Sequence, residues 1–294
     1  SGAIPEPTVI VWMEEDWYTQ DIGPSLSTRV FLVPSLEKGG KMDKFFSAIM
    51  ENLVFFTEFL GIVVTVFVLA YVLERWSNKR TGHSGKIITT KKIAMVGVFA
   101  AVSTIAMMFE VPMPFAPNFY KIDLSEVPVM IVTFAFGPVT GVLTEFCKIL
   151  LKVIFKSTST AFVGELANFA VGCSLLIPSS VVYLMRKNRN HALIGMVVGT
   201  LCMTIFGSAF NAIYLLPKFA QLYGMPLDNL VQMGTAINPS IHSVTTMVLF
   251  SVAPLNLVKG VAVSVVTLLL YKKLSVIIKA DYVDIKKNRK ATIA

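Results

Sequence analysis

Residues 252–273 read VAPLNLVKGVAVSVVTLLLYKK, and one lysine among them decides how the chain is read. Lys259 stands inside an apolar run, three residues after Asn256, and the next basic residue is Lys272. Along a helix the two ammonium groups stand roughly 18–20 Å apart. A lysine inside a bilayer is costly and marks a functional site. The competing reading is a stem that snorkels its head to a membrane edge.

The wider composition places this run in a membrane protein. Of the 294 residues, 54% are hydrophobic and 15% charged, and the mean hydropathy is +0.69. The apolar residues gather into long spans, the signature of transmembrane helices. The net charge of +8 does not describe a nucleic-acid binder, because its basic residues are not interleaved with aromatics on one surface. They cluster instead in ERWSNKRTGHSGKIITTKK (74–92), RKNRNH (186–191) and KKNRK (286–290), the pattern of cytoplasmic loops.

Seven spans follow, at about 53–73, 93–110, 126–137, 140–155, 164–185, 193–216 and 254–273. The third is too short to cross a ~30 Å hydrocarbon core, so it is expected to be extended or flanked by irregular backbone buried in protein. The charge rule puts the C-terminus in the cytoplasm, and loop 110–126, connection 217–253 and the N-terminus outside. Lys148, Lys152 and Lys156 lead toward an outside loop. Their spacing sets them on one helix face, so they face protein or snorkel outward.

Residues 1–41 lack a signal-peptide core, and Met42 follows EKGGK. The expectation is that Met42 starts the native chain and 1–41 is a leader. Residues 42–92 then form an extra membrane helix and a basic linker, 93–280 a six-helix domain, and 281–294 a solvated basic tail.

No enzyme motif appears. RTGHSGKI (80–87) has Arg80 where a phosphate-binding loop needs its first glycine. Nucleophile-elbow, zinc-protease and kinase patterns are missing too. Cys147, Cys173 and Cys202 lie in apolar spans without metal or disulfide spacing, and His83, His191 and His242 are isolated. Neither a metal nor a cofactor is expected. Carboxylates inside spans are sparse, with Glu145 and Glu165 near span ends.

What remains is a set of polar residues at the outer ends of spans. Pro254 lacks an N–H and suits a first helical turn, which puts Asn256 and Lys259 near an outer aqueous mouth. Asn211 lies toward the outer end of the preceding span, and Asn168 near the outer start of another. A lone Asn in a membrane helix more often makes a helix–helix hydrogen bond worth about 1 kcal/mol. Several at one depth point to a ligand pocket.

Four stretches carry a family resemblance: EVPMPFAPNFYKIDLSEVPVMIVTFAFGPVTGVLTEFCKILL (110–151), STSTAFVGELANFAVG (157–172), FNAIYLLPKFAQLYGMPL (210–227) and APLNLVKGVAVSVVTLLLYKKL (253–274). Over about residues 91–280 the chain resembles the riboflavin-specific substrate-binding subunits of energy-coupling factor (ECF) transporters. The resemblance implies an all-α membrane protein, a six-helix bundle that binds riboflavin from outside. It also implies docking on a transmembrane coupling subunit driven by two cytoplasmic ATPases. By the same resemblance, Asn211, Asn256 and Lys259 contact the flavin. The span at 53–73 and the leader are departures from the family.

The chemistry is compatible with that implication. The flavin ring has an imide-like edge, an N–H between two carbonyls, which a carboxamide can match. Lysine adds a charge-assisted donor. Tyr120 reads either as a cover on the ligand or as an interfacial anchor, and Glu165 as a ribityl contact or a helix-start residue. In GVFAA (97–101), Gly97 and Ala101 lie one turn apart with Ala94 nearby. Small residues so spaced let helices approach closely, within the bundle or against a partner. The family carries its docking motif here, so docking is expected. The alternatives are the same fold serving another vitamin or flavin-related compound, and a flavin-binding membrane receptor without transport. A self-sufficient secondary transporter should show inverted repeats and broken helices, which are not seen.

Overall fold

The computed structural model describes residues 53–82, 86–156, 158 and 162–270. The expectations for residues 1–41, Met42 and the 281–294 tail lie outside the described residues. The chain is an all-α membrane protein, a six-helix bundle joined by an additional N-terminal helix. That added helix is α1 (Leu53–Thr81). The bundle consists of α2 (Thr90–Met108), α3 (Glu126–Phe136), α4 (Pro138–Phe155), α5 (Val163–Met185), α6 (Arg189–Leu222) and, last, α8 (Val244–Leu270). A short helix, α7 (Leu227–Thr235), lies between α6 and α8.

Helix starts follow local capping chemistry. Thr89 accepts from Lys92 N at the head of α2, and Asn188 accepts from His191 N at the head of α6. Ser243 and Thr246 form a reciprocal capping box at the head of α8. Each satisfies an orphan N–H, an arrangement worth about 0.5–2 kcal/mol.

The third span takes the second of its two expected forms. It is a regular helix of 11 residues, all buried except Pro128, and irregular backbone buried in protein leads into it. A short helix suffices because the segment before it enters the bundle, burying Ala116, Asp123 and Ser125. A two-residue ribbon, β1 (Val111–Pro112) against β2 (Lys121–Ile122), folds that segment back on itself. Gly137, at φ +101°, turns α3 into α4, a conformation that favours glycine.

Pro254, expected in a first helical turn, is placed differently. It lies inside α8, two residues after a π-helical turn at Val248–Val252. The wider i→i+5 turn accommodates the backbone around a residue that cannot donate. A second π-turn, Asn211–Leu215, lets α6 run on to Leu222, well past residue 216. The 217–253 connection is therefore partly helical.

The bundle centre is formed by α3 and α5 with the inward faces of their neighbours, around Met130, Phe134, Leu175, Tyr183, Met196 and Val263. In lipid such contacts are held by close packing, since lipid tails are as apolar as the side chains. α1 packs on α4 and α5, where Val63 and Ala70 join Val142, Phe169 and Cys173. Its Glu74 is 2% exposed and accepts from Val139 N at 2.8 Å, capping α4. Lys92 stands 3.8 Å from Glu74 and also donates to Phe136 O.

Candidate functional site

A cavity of about 120 Å³ lies between α5, α6, α8 and the segment before α3. Its wall includes Tyr120, Asn168, Asn211, Asn256 and Lys259, so five of the six sequence candidates surround one space. Ligand pockets for drug-sized molecules run about 300–1,000 Å³. A ligand with three fused rings therefore requires this cavity to widen.

Each polar group has a defined orientation. Asn211 sits in the π-turn of α6; its Nδ2 donates to Gly207 O at 2.9 Å, and its Oδ1 accepts from Tyr120 Oη at 3.0 Å. Asn168 Nδ2 donates to Gly164 O, leaving Oδ1 facing Lys259 Nζ at 3.5 Å. Asn256 differs, because its buried Nδ2 has no hydrogen-bond partner. Gly207 makes room for it: a Cβ there would lie 2.5 Å from Asn256 Nδ2. A buried unpaired donor costs about 1–3 kcal/mol, and a ligand acceptor would relieve it. Phe119 closes one side, stacked on Phe219 at 5.2 Å between centroids.

Lys259 is 6% exposed and does not simply project into a polar cavity. Its Nζ lies 2.9 Å from Glu126 Oε1 and 3.3 Å from Asp123 Oδ2. The snorkelling reading fails on these contacts. Glu126 Oε1 also lies 3.4 Å from Lys148 Nζ, which pairs with Glu145 at 2.7 Å and Ser125 Oγ at 2.9 Å. Three carboxylates and two ammonium groups thus form one buried cluster behind the pocket. Burial alone would raise the Asp123 carboxyl, but Lys259, Lys148 and Ser125 outweigh it and bring it down to about 2.

Sequence reasoning missed Asp123, Glu126, Glu145 and Lys148 as members of the site. The available signal was Lys259 itself, since a buried ammonium needs acidic partners. Lys148 and Lys152 face protein, Lys152 pairing with Glu165 at 2.5 Å. Lys156 lies 3.0 Å from Glu110 beyond the end of α2. Glu165, buried beside Lys152 and Thr158, does not line the cavity.

Ala94, Gly97 and Ala101 are exposed on the outward side of α2, and a Cβ added at Gly97 would meet nothing within 4 Å. Among the described residues no group of three or more His, Cys, Asp or Glu could hold a metal ion, and Cys147, Cys173 and Cys202 are free.

Residues 91–271 match the family described as ECF transporter, substrate-specific component. The chain is 30% identical over 189 residues to the riboflavin transporter RibU of Staphylococcus aureus (strain TCH60), covering 64% of this chain and 93% of the relative. It is 28% identical to the riboflavin transporter FmnP of Bacillus subtilis (strain 168), covering 63% of this chain and 92% of that protein. A solved structure described as the S component of a bacterial ECF transporter aligns with a TM-score of 0.50 at 30% identity, covering 63% of this chain and 95% of that one. These relatives are described as riboflavin transporters and as a transporter S component. The cavity, the buried cluster and the exposed α2 face all fall within the matched residues.

Proposed function

The chain belongs to the substrate-specific components of ECF transporters, and we propose that it is the riboflavin-binding subunit of an ECF vitamin uptake system. The observation that carries this reading is the meeting of Asn168, Asn211, Asn256 and Lys259 around one cavity. Asn256 supplies a free donor for a ring carbonyl, while Asn211 Oδ1 supplies an acceptor for the imide N–H once Tyr120 turns away. Lys259, held by Glu126 and Asp123, adds a charge-assisted donor at a fixed position. Riboflavin is the transported ligand and no cofactor takes part.

The basic segments at 74–92 and 186–191 orient the chain with its C-terminus in the cytoplasm and the cavity end outside. Uptake then needs a transmembrane coupling subunit and two cytoplasmic ATPases, since the sequence contains no ATP-binding loop. The outward face of α2 at Ala94, Gly97 and Ala101 is the docking surface for the coupling subunit. α1 packs on α4 and α5, and the space beside Gly97 is open. The test is riboflavin uptake by riboflavin-auxotrophic cells that express the chain with and without the coupling subunit and ATPases. Growth on low riboflavin only with all components present supports the proposal. Equal growth with the chain alone contradicts it.

A further inference from the structure

The outer end of α1 holds the helix that forms one wall of the cavity. Glu58 Oε2 accepts from Tyr214 Oη at 2.6 Å and lies 2.8 Å from Lys218 Nζ. Tyr214 belongs to the π-turn that begins with Asn211, and Lys218 follows one helical turn later. The opposite side of this same stretch lines the cavity with Asn211, Leu215, Leu216 and Phe219. One carboxylate oxygen therefore holds both the π-turn and the helix after it.

Further contacts confine this end of α1. Lys218 Nζ lies 5.8 Å over the ring of Phe55, itself 2% exposed. Phe56 meets Phe162, just before α5, edge-on at 5.0 Å. Tyr214 stacks on Phe210 at 5.3 Å with rings only 5° apart.

A π-turn carries one more residue than an α-turn. Closing it would rotate everything beyond it by about 100° relative to what precedes it. Asn211 opens the turn, and Leu216 and Phe219 follow it. Their relative placement depends on the turn staying as it is.

We infer that α1 is a clamp on the cavity wall, with Glu58 the positioning residue that fixes the register of α6 through Tyr214 and Lys218. The Glu58 side chain is 39% exposed, so its ion pair adds little to overall stability. Its effect is on the shape and opening of the pocket. The inference rests on the riboflavin reading for its kinetic consequence, and its structural consequence can be measured without ligand.

The test uses the full chain in lipid nanodiscs with riboflavin as the probe. Glu58→Ala, and separately Tyr214→Phe with Lys218→Met, each raise the riboflavin dissociation rate about ten-fold. Glu58→Gln keeps an acceptor for Tyr214 and has a smaller effect. Combining Glu58→Ala with the paired change adds nothing, because all three residues act through one contact. In the ligand-free chain, Glu58→Ala speeds amide exchange over residues 212–219 while the melting temperature holds. Unchanged dissociation and exchange in Glu58→Ala would overturn the clamp. So would faster exchange throughout the bundle with a lowered melting temperature, which marks a merely structural residue. If the wild-type chain fails to bind riboflavin, the functional reading falls and local exchange alone decides the clamp.

Discussion

Glu126 Oε1 lies 2.9 Å from Lys259 Nζ at the cavity and 3.4 Å from Lys148 Nζ in the fully buried interior. One oxygen thus joins the pocket lysine to a second lysine that never meets solvent. Lys259 is tolerated in its apolar helix because acidic groups from another part of the chain surround its head. They also fix that head in place, which a lysine on a flexible stem does not achieve alone.

Replacing Lys259 should therefore disturb two properties. Lys259→Met leaves Glu126 and Asp123 short of a counter-ion, and breaking a buried pair costs about 3–5 kcal/mol. Both the melting temperature and riboflavin affinity should fall. Adding Glu126→Gln should restore much of the melting temperature but not the affinity. Thermal unfolding and flavin titration of the single and double variants check this. A double variant that binds like wild type would show that Lys259 serves only the fold.

Tyr120 donates at 3.0 Å to Asn211 Oδ1, the acceptor we propose for the flavin imide N–H. Such a bond contributes about 0.5–1.5 kcal/mol. Tyr120→Phe should speed riboflavin association by up to roughly ten-fold, as that contribution converts to rate. Stopped-flow fluorescence measures it. Slower association, or weaker binding, would mean that the Tyr120 hydroxyl contacts the ligand directly.

Gly97→Leu with Ala101→Leu should abolish riboflavin uptake and co-purification of the coupling subunit. Bulky side chains there prevent close helix approach, where packing supplies most of the contact energy. Flavin binding to the isolated chain should persist, since Gly97 faces open space. Loss of binding together with uptake would place this face inside the working bundle.

Deleting residues 1–86 should leave a chain that binds riboflavin, because α1 contributes none of the cavity-lining residues. It should melt at a lower temperature. Val139 N and Lys92 lose Glu74, and the α4–α5 surface under Val63 and Ala70 is uncovered. Dissociation should quicken as well, because Glu58 is gone. A truncated chain that inserts normally and binds no flavin would make α1 part of the pocket.

Much of the architecture was legible because bilayer thickness and hydropathy fix where long apolar helices fall. The polar positions Asn168, Asn211, Asn256 and Lys259 were legible because carboxamides and charges inside spans are rare. The π-turn before Pro254 was not. Proline favours a first turn as a local rule, and only packing around α8 decides that the helix continues through it. The ion cluster was hidden for a different reason. Asp123 and Lys259 lie 136 residues apart, and local spacing carries no information about such a pair. Lys148, Lys152 and Lys156, in α4 and at its end, showed their shared face but not their partners, Glu126, Glu145, Glu165 and Glu110.

The most direct measurement is an equilibrium titration of riboflavin against the purified, flavin-free chain, followed by quenching of flavin fluorescence. The account predicts saturable binding with one riboflavin per chain, sharply weakened by Asn256→Leu, which removes the buried unpaired donor of a cavity-lining residue. A folded chain that leaves flavin fluorescence unquenched, or an Asn256→Leu variant that binds as tightly as wild type, would contradict it.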